Sequence, residues 1–181
     1  MKISYGITVH NEAEELQKLL EILNNGMDEE DEIVVCVDGD DEKVEAVLGQ
    51  YLSENKATVY KRKLDGDFSA QKNSVIEKST GDYIFHIDAD EYPHETLLEQ
   101  LKQIIEMNEG VDFQARVFRR DESIRWTRPL HEFINGCKTY AHLPPQEELS
   151  LYHPKTIERQ EKQNMFYNQN FSEEMNRRSN L

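Results

Sequence analysis

Cysteine is scarce, basic residues are outnumbered, and no long apolar run is present in this 181-residue chain. Its two cysteines, Cys36 in an apolar run and Cys137 in a turn-like stretch, have neither metal-ligand spacing nor the density of a secreted disulfide framework. Two reduced thiols are expected. Apolar stretches stop at about ten residues, too short to span a bilayer, and Met1-Lys2-Ile3-Ser4-Tyr5-Gly6-Ile7 lacks the charged-then-apolar order of a signal peptide. A soluble, cytoplasmic protein with at most peripheral membrane contact is the expectation. No glycine-rich phosphate loop stands near the start, and no repeat or low-complexity linker interrupts the chain. With 21 Lys and Arg against 36 Asp and Glu, the formal charge is -15. That balance disfavours nonspecific attraction to nucleic acid or an anionic bilayer, while leaving room for a local basic cleft.

What is present is an alternation of strand-like and helix-like segments. Lys2 to Val9 reads as a strand, and Asn11 with Glu14 as a capping pair opening a helix that carries Leu16, Leu19, Leu20 and Leu23 on one face. Ile33-Val34-Val35-Cys36-Val37 is a continuous apolar run, as in a strand covered on both sides, and it ends abruptly in Asp38-Gly39-Asp40-Asp41. A helix with Val44, Val47, Leu48 and Tyr51, a short strand from Ala57 to Tyr60 and a helix from Ser69 to Ser79 follow. Tyr83 to Ile87 is the next buried strand, and Leu97, Leu98, Leu101, Ile104 and Ile105 mark a helix after Pro93.

The alternation argues for an α/β domain with a mostly parallel sheet, whose ligands gather at the carboxyl ends of the strands. From Val111 to Tyr152 short strands take over, with Val111, Phe113, Ala115 and Val117 alternating, so a small additional β region is expected beside the main sheet. A last helix spans Lys155 to about Tyr167. The expected organisation is a single domain over 1–167, made of an α/β part in 1–107 and the β region with the last helix in 108–167. The polar tail, 168–181, is expected to be disordered.

The strongest local signal is His86-Ile87-Asp88-Ala89-Asp90-Glu91, where an apolar strand delivers two carboxylates one residue apart. Hard divalent cations such as Mg2+ or Mn2+ take carboxylate oxygens and can bridge to a diphosphate. An acidic loop capping the following helix is the plain alternative. An aspartate-based phosphatase fits poorly, because Glu91-Tyr92 follow the pair and it lies at mid-chain. A calcium EF-hand at Asp38-Gly39-Asp40-Asp41 has its glycine and final glutamate misplaced.

The order of these pieces resembles family 2 glycosyltransferases of the GT-A fold over nearly the whole chain. Ile7-Thr8-Val9-His10-Asn11-Glu12 and Val37-Asp38-Gly39-Asp40-Asp41 look like the family's two nucleotide-binding loops. Asp67 to Asn73, then Gly81 to Glu91, resemble the segment leading into its DXD motif. Leu130-His131-Glu132 and Tyr152-His153-Pro154 resemble the His-Glu motif and late histidine of bacterial lipopolysaccharide-core β-glucosyltransferase-like proteins, although Pro154-Lys155 replaces the expected Gly-Tyr.

The resemblance implies a nucleotide diphosphate sugar donor, a UDP sugar such as UDP-glucose, and Mn2+ or Mg2+. Thr8, Glu12, Asp38, Lys72, Asp88, Lys155 and Arg159 become donor-binding candidates, and Asp88, Asp90 and His153 metal-binding candidates. Asp38 would accept a hydrogen bond from the base. Glu132 is the leading general base for an inverting transfer, with Glu91 as runner-up. Arg116, Arg119, Arg120, Arg125 and Arg128 would attract anionic groups, and Trp126 either stacks on a sugar or packs. The acceptor is a saccharide or another hydroxyl, on a protein or, less favoured, on a nucleic acid. A non-catalytic nucleotide- or metal-binding module is the alternative.

Overall fold

A computed structural model of the chain describes residues 1–52, 57–108, 112–113, 116–143 and 145–176. In chain order the elements are β1 (Ile3–Val9), α1 (Ala13–Gly26), β2 (Glu32–Val37), α2 (Glu42–Leu52), β3 (Ala57–Lys61), α3 (Phe68–Lys78), β4 (Tyr83–Asp88), β5 (Tyr92–Pro93) and α4 (Glu95–Met107). Then come β6 (Asp112–Phe113), β7 (Val117–Arg119), β8 (Arg125–Thr127), β9 (Phe133–Asn135), β10 (Tyr140–Ala141), a 3-10 turn at Glu147–Leu149, β11 (Leu151–Tyr152), α5 (Ile157–Asn170) and α6 (Glu173–Asn176).

A seven-stranded sheet runs β10, β6, β7, β4, β1, β2, β3 from edge to edge. β4, β1, β2 and β3 are parallel, and β7 is antiparallel to both β4 and β6. The chain moves from β1 to β2 and β3 on one side, then places β4 on the other side of β1. The carboxyl ends of β1 and β4 therefore flank a topological switch point, the crevice where doubly wound sheets bind ligands. The register sets Thr8 opposite Asp88 there.

Both faces of the sheet are covered, as the apolar run in β2 requires. On one face α1 buries Leu16, Leu19, Leu20 and Leu23, and α4 buries Leu97, Leu98, Leu101 and Ile105, around Tyr5, Ile7 and Phe85. On the other, α3 sets Val75 against Val34 and Cys36, while Ile76, Ile84, Phe118, Ile124 and Trp126 form an adjoining cluster. Gly6 permits this approach, since a Cβ there would stand 2.5 Å from Val75 Cγ1.

Three expectations change. Glu12, not Asn11, is the N-cap of α1, and its carboxylate reaches back to the backbone N–H groups of His10 and Asn11 at 2.9 and 3.1 Å. Those donors turn out of β1 with no strand partner, so the longer side chain satisfies them. Second, only part of the expected β region lies beside the main sheet, as the two-stranded pairs β8–β9 and β5–β11, while β6, β7 and β10 extend the main sheet itself. Residues 111, 114 and 115 of the expected alternation lie outside the described residues. Third, Thr156 caps the last helix through Arg159 N, and that helix runs on to Asn170, with α6 beyond it. Residues 168–176 are thus largely helical, and 177–181 lie outside the described residues. Among the described residues no helix is long and apolar enough to cross a membrane.

The amino ends of the parallel strands are tied by one carboxylate. Glu32 accepts hydrogen bonds from Ser4 Oγ at 2.6 Å and from Lys2 Nζ and Thr80 Oγ1, both at 2.8 Å. Ser4 Oγ in turn accepts from Gly81 N, and a Cβ at Gly81 would stand 2.7 Å from Ser4 N. Burial would raise the Glu32 pKa, but these hydrogen bonds outweigh it and hold the carboxyl at about 2. A carboxylate depressed in the fold stabilises it above the ordinary carboxylate pKa, and that contribution is lost as pH falls toward about 2. Glu32→Gln should cost roughly 1–2 kcal/mol at pH 7 after solvent screening is allowed for. Urea unfolding at pH 7 and at pH 3 checks this, since the deficit should shrink in acid.

Candidate active site

β4 ends in Asp88, and three cationic or polar groups converge on it. Lys72 Nζ, from the buried side of α3, lies 3.2 Å from Asp88 Oδ1 and 2.7 Å from Glu132 Oε1, and it sits over the Trp126 ring at 4.7 Å. Arg116 reaches Asp88 Oδ2 at 3.4 Å, and Thr8 donates to Oδ1 at 3.3 Å. Burial alone would push Asp88 up, but Lys72 and Arg116 hold it well below the ordinary carboxylate range. Lys72 is 5% exposed, and although burial opposes its charge, Asp88 and Glu132 raise its pKa. His86 is fully buried, its pKa pushed down to about 4 by that burial. Among the described residues neither of its ring nitrogens has a hydrogen-bond partner, the approach to Asp88 being 3.5 Å.

Two residues on, Asp90 turns the other way. Its Oδ2 lies 3.0 Å from His153 Nε2 and 3.4 Å from Arg159 Nη2. Arg159 also meets Glu15 Oε1 at 2.5 Å and Glu12 Oε1 at 3.6 Å, so α5 is tied to the start of α1 and to the Asp90 loop by charge. Among the described residues no group of three or more His, Cys, Asp or Glu forms a metal cage. The Asp90–His153 pair still fits a metal. Oxygen and nitrogen donors 3.0 Å apart can be adjacent ligands of one ion with bonds of roughly 2.0–2.2 Å, leaving positions for phosphate oxygens and water. Asp88 is already matched by Lys72 and Arg116.

The two candidate bases differ in what their oxygens do. Glu91 is 5% exposed and both its oxygens are engaged, Oε1 by Arg116 Nη2 at 2.6 Å and Oε2 by the backbone N–H of Asp88 at 3.1 Å. Burial and the Asp88 charge push its pKa up. A cavity of about 350 Å³ with largely apolar walls lies against Glu91 and Arg116. Glu132 spends one oxygen on Lys72 and, among the described residues, its other oxygen accepts no hydrogen bond. It directly follows a turn that includes two left-handed residues, Arg128 (φ 73°) and His131 (φ 54°), a conformation uncommon for non-glycine residues.

At the end of β2, Asp38 accepts from Leu64 N at 3.0 Å and lies 3.2 Å from His10 Nδ1, joining the first two loops. Gly39 (φ 91°) takes the turn that follows. Thus Thr8, Asp38, Asp88, Asp90, Glu91, Lys72 and Glu132 all stand at the carboxyl end of the sheet, with His153 and Arg159 brought there from the end of the chain.

A family-wide sequence profile described as glycosyl transferase family 2 matches residues 4–175. The chain belongs to glycosyl transferase family 2. Its fold is GT-A, and it is similar to the TarS 1-349 fragment from S. aureus in complex with UDP-GlcNAc (TM-score 0.55, 18% identity, 72% of this chain and 41% of that one). It is also similar to the mannosyltransferase PcManGT from Pyrobaculum calidifontis in complex with GDP-Man and Mn2+ (TM-score 0.51, 16% identity, 62% and 34%). A poly(ribitol-phosphate) beta-glucosyltransferase of Bacillus spizizenii is 32% identical over 98 residues, 51% of this chain and 15% of that protein. The chain spans about a third or less of the length of the curated relatives it matches.

Within this family 2 domain several sequence expectations are redirected. Trp126 is a packing residue, 4% exposed and set edge-on to His86 and Phe118, so no sugar can stack on it. Of the five arginines between residues 116 and 128, Arg116 reaches the cluster, and Arg128 donates to the Met175 carbonyl at 3.4 Å. Arg119 pairs with buried Asp112, Arg120 with the Gly81 carbonyl, and Arg125 with the Asp121 and Ile124 carbonyls. Lys155 is turned toward Gln163. Sequence reasoning missed Glu15, Gln163 and Tyr167; the fourfold spacing of Arg159, Gln163 and Tyr167 was the available signal.

Removing the ammonium of Lys72 would take from Glu132 its paired cation and leave Asp88 with Arg116 alone. Lys72→Met should cost about 3–5 kcal/mol at pH 7. The deficit should shrink as pH falls through the carboxylate range, because the variant's folded carboxylates, without the ammonium, take up protons there while wild-type Asp88 stays ionised. Equal deficits by urea unfolding at pH 7 and pH 4 would contradict the charge assignment.

Proposed function

We propose that this domain transfers a hexose from a nucleotide diphosphate sugar, a UDP sugar such as UDP-glucose, to an acceptor hydroxyl with inversion. The observation that carries the reading is the meeting of Asp90 and His153, 63 residues apart in sequence, at the switch point of a family 2 sheet. The nucleotide-sugar complexes of TarS and PcManGT and the beta-glucosyltransferase relative support the donor class. Asp38 with its neighbouring loops holds the base, while Thr8 and Asp88 stand beneath the ribose and diphosphate. Asp90 and His153 hold Mn2+ or Mg2+, which neutralises the diphosphate charge when bound.

Lys155 and Arg159 steady the leaving diphosphate as its charge grows, after giving up their partners Gln163 and Asp90. Glu132 is the general base, because it keeps an unengaged oxygen. Glu91, with both oxygens occupied, fixes the Asp88 backbone and orients Arg116. The acceptor is a saccharide or another hydroxyl-bearing molecule. A cytoplasmic location accords with the two unbridged thiols, Cys36 and Cys137.

UDP release from UDP-glucose in the presence of Mn2+, with water or a supplied acceptor, tests the assignment. Glu132→Gln should lower kcat by roughly 10²–10⁴-fold, with donor affinity by calorimetry changed by less than about threefold. Unchanged kcat would remove Glu132 as base. A wild-type protein that binds UDP and UDP-glucose yet turns over neither donor nor acceptor would favour the non-catalytic binding module instead.

A further inference from the structure

We propose that Gln163 and Tyr167, on the face of α5 that lies across the cleft, hold hydroxyls of the transferred hexose and set which sugar the domain accepts. This rests on the function proposed above. Between residues 155 and 171 only Lys155, Arg159, Gln163, Tyr167 and Phe171 are partly shielded, one at every fourth position, and all the others are exposed. A helix with a spacing of four lines such residues along one side. No residue of α5 is fully buried, and among the described residues this row is the shielded side of the helix.

The two ends of the row are anchored and the middle is not. Arg159 is fixed by Glu15, Glu12 and Asp90. The Tyr167 ring packs edge-on against Phe68 at 6.2 Å and His131 at 6.0 Å, and Phe171 stacks on Phe68 at 6.2 Å. Gln163, among the described residues, bonds only within the row: its Oε1 accepts from Lys155 Nζ, and its Nε2 donates to Tyr167 Oη at 2.7 Å. Among the described residues, the second amide hydrogen of Gln163 and the phenol hydrogen of Tyr167 therefore have no acceptor. Burial, together with the charges of Glu132, Asp88 and Asp90, pushes the Tyr167 pKa up to about 12, so its hydroxyl is a donor at neutral pH and lies within reach of the catalytic carboxylates' field.

The spacing matches the reaction. With a rise of 1.5 Å per residue, Gln163 stands about 6 Å beyond Arg159 and Tyr167 about 12 Å beyond it. From leaving oxygen through the anomeric carbon and attacking hydroxyl to the base, an in-line displacement spans about 8 Å. With Arg159 at the diphosphate end and Tyr167 at the Glu132 end, the hexose ring falls under Gln163, where unspent donors meet sugar oxygens. A site that hydrogen-bonds a substrate hydroxyl discriminates strongly against a sugar lacking it in that place, because its own polar groups are then left unpaired.

The test compares kcat/KM for UDP-glucose, UDP-galactose and UDP-GlcNAc by UDP release, in the wild type, Tyr167→Phe and Gln163→Leu. Tyr167→Phe keeps the ring contacts and removes only the hydroxyl. In each variant the ratio between the preferred and the least favoured donor should fall by about tenfold or more, through loss on the preferred donor. Affinity for UDP alone, which carries no sugar, should stay within about threefold, as should the response of Tm to UDP. Wild-type turnover with an unchanged donor ratio in both variants, or an equal loss on all donors accompanied by weaker UDP binding, overturns the inference and leaves a row that merely docks α5. Failure of the wild type to bind or turn over any nucleotide sugar overturns the functional reading first, and this inference with it.

Discussion

The buried ammonium of Lys72 is the interaction on which the rest of the site depends. An acidic chain that delivers Asp88 to the end of a covered strand, beside Glu132 and Glu91, faces mutual repulsion and a desolvation cost for each carboxylate. Lys72 meets Asp88 and Glu132 at once, and Arg116 meets Asp88 and Glu91. Asp88 is thereby kept charged in place. The two cations come from α3, on one face of the sheet, and from the residue just before β7, so the constellation also locks α3 and the β7 side of the sheet onto the carboxyl end of β4.

That arrangement divides the acidic triplet into two jobs. Asp88 faces the interior cations and the Thr8 hydroxyl, and serves as an internal electrostatic fixture. Asp90 faces the cleft, where His153 and Arg159 wait on it. Strand alternation would set residues 88 and 90 on one face, but β4 ends at Asp88 and the chain turns at Ala89-Asp90, so the two carboxylates point apart. Glu91, hydrogen-bonded to the Asp88 backbone, holds the turn between them.

The sheet was legible because its strands are long and apolar: Ile3–Val9, Glu32–Val37 and Tyr83–Asp88 carry their burial in their composition. The helices α1 and α4 were equally plain from their leucine and isoleucine spacing. The additions to the sheet were not. β6, β7 and β10 have two or three residues each, too few to show a period, and pairing with β4 is settled by tertiary packing. In the site, Asp88, Asp90, Glu132 and His153 could be named from motif order, yet their partners could not. The Lys72–Glu132 and Arg159–Glu15 pairs join residues far apart in sequence, and no local pattern announces them. Trp126 illustrates the same limit, since only packing shows that its ring belongs to the core beneath Lys72.

The central claim is that Asp90 and His153, and not Asp88, form the metal-facing side of the triplet. Anomalous scattering at the manganese edge from crystals soaked with UDP and Mn2+ tests it most directly. The account predicts one peak within bonding distance of both Asp90 and His153, with Lys72 and Arg116 still on Asp88. A peak ligated by Asp88 with its ion pairs broken, or a diphosphate seated in the cleft with no metal beside Asp90, would contradict it.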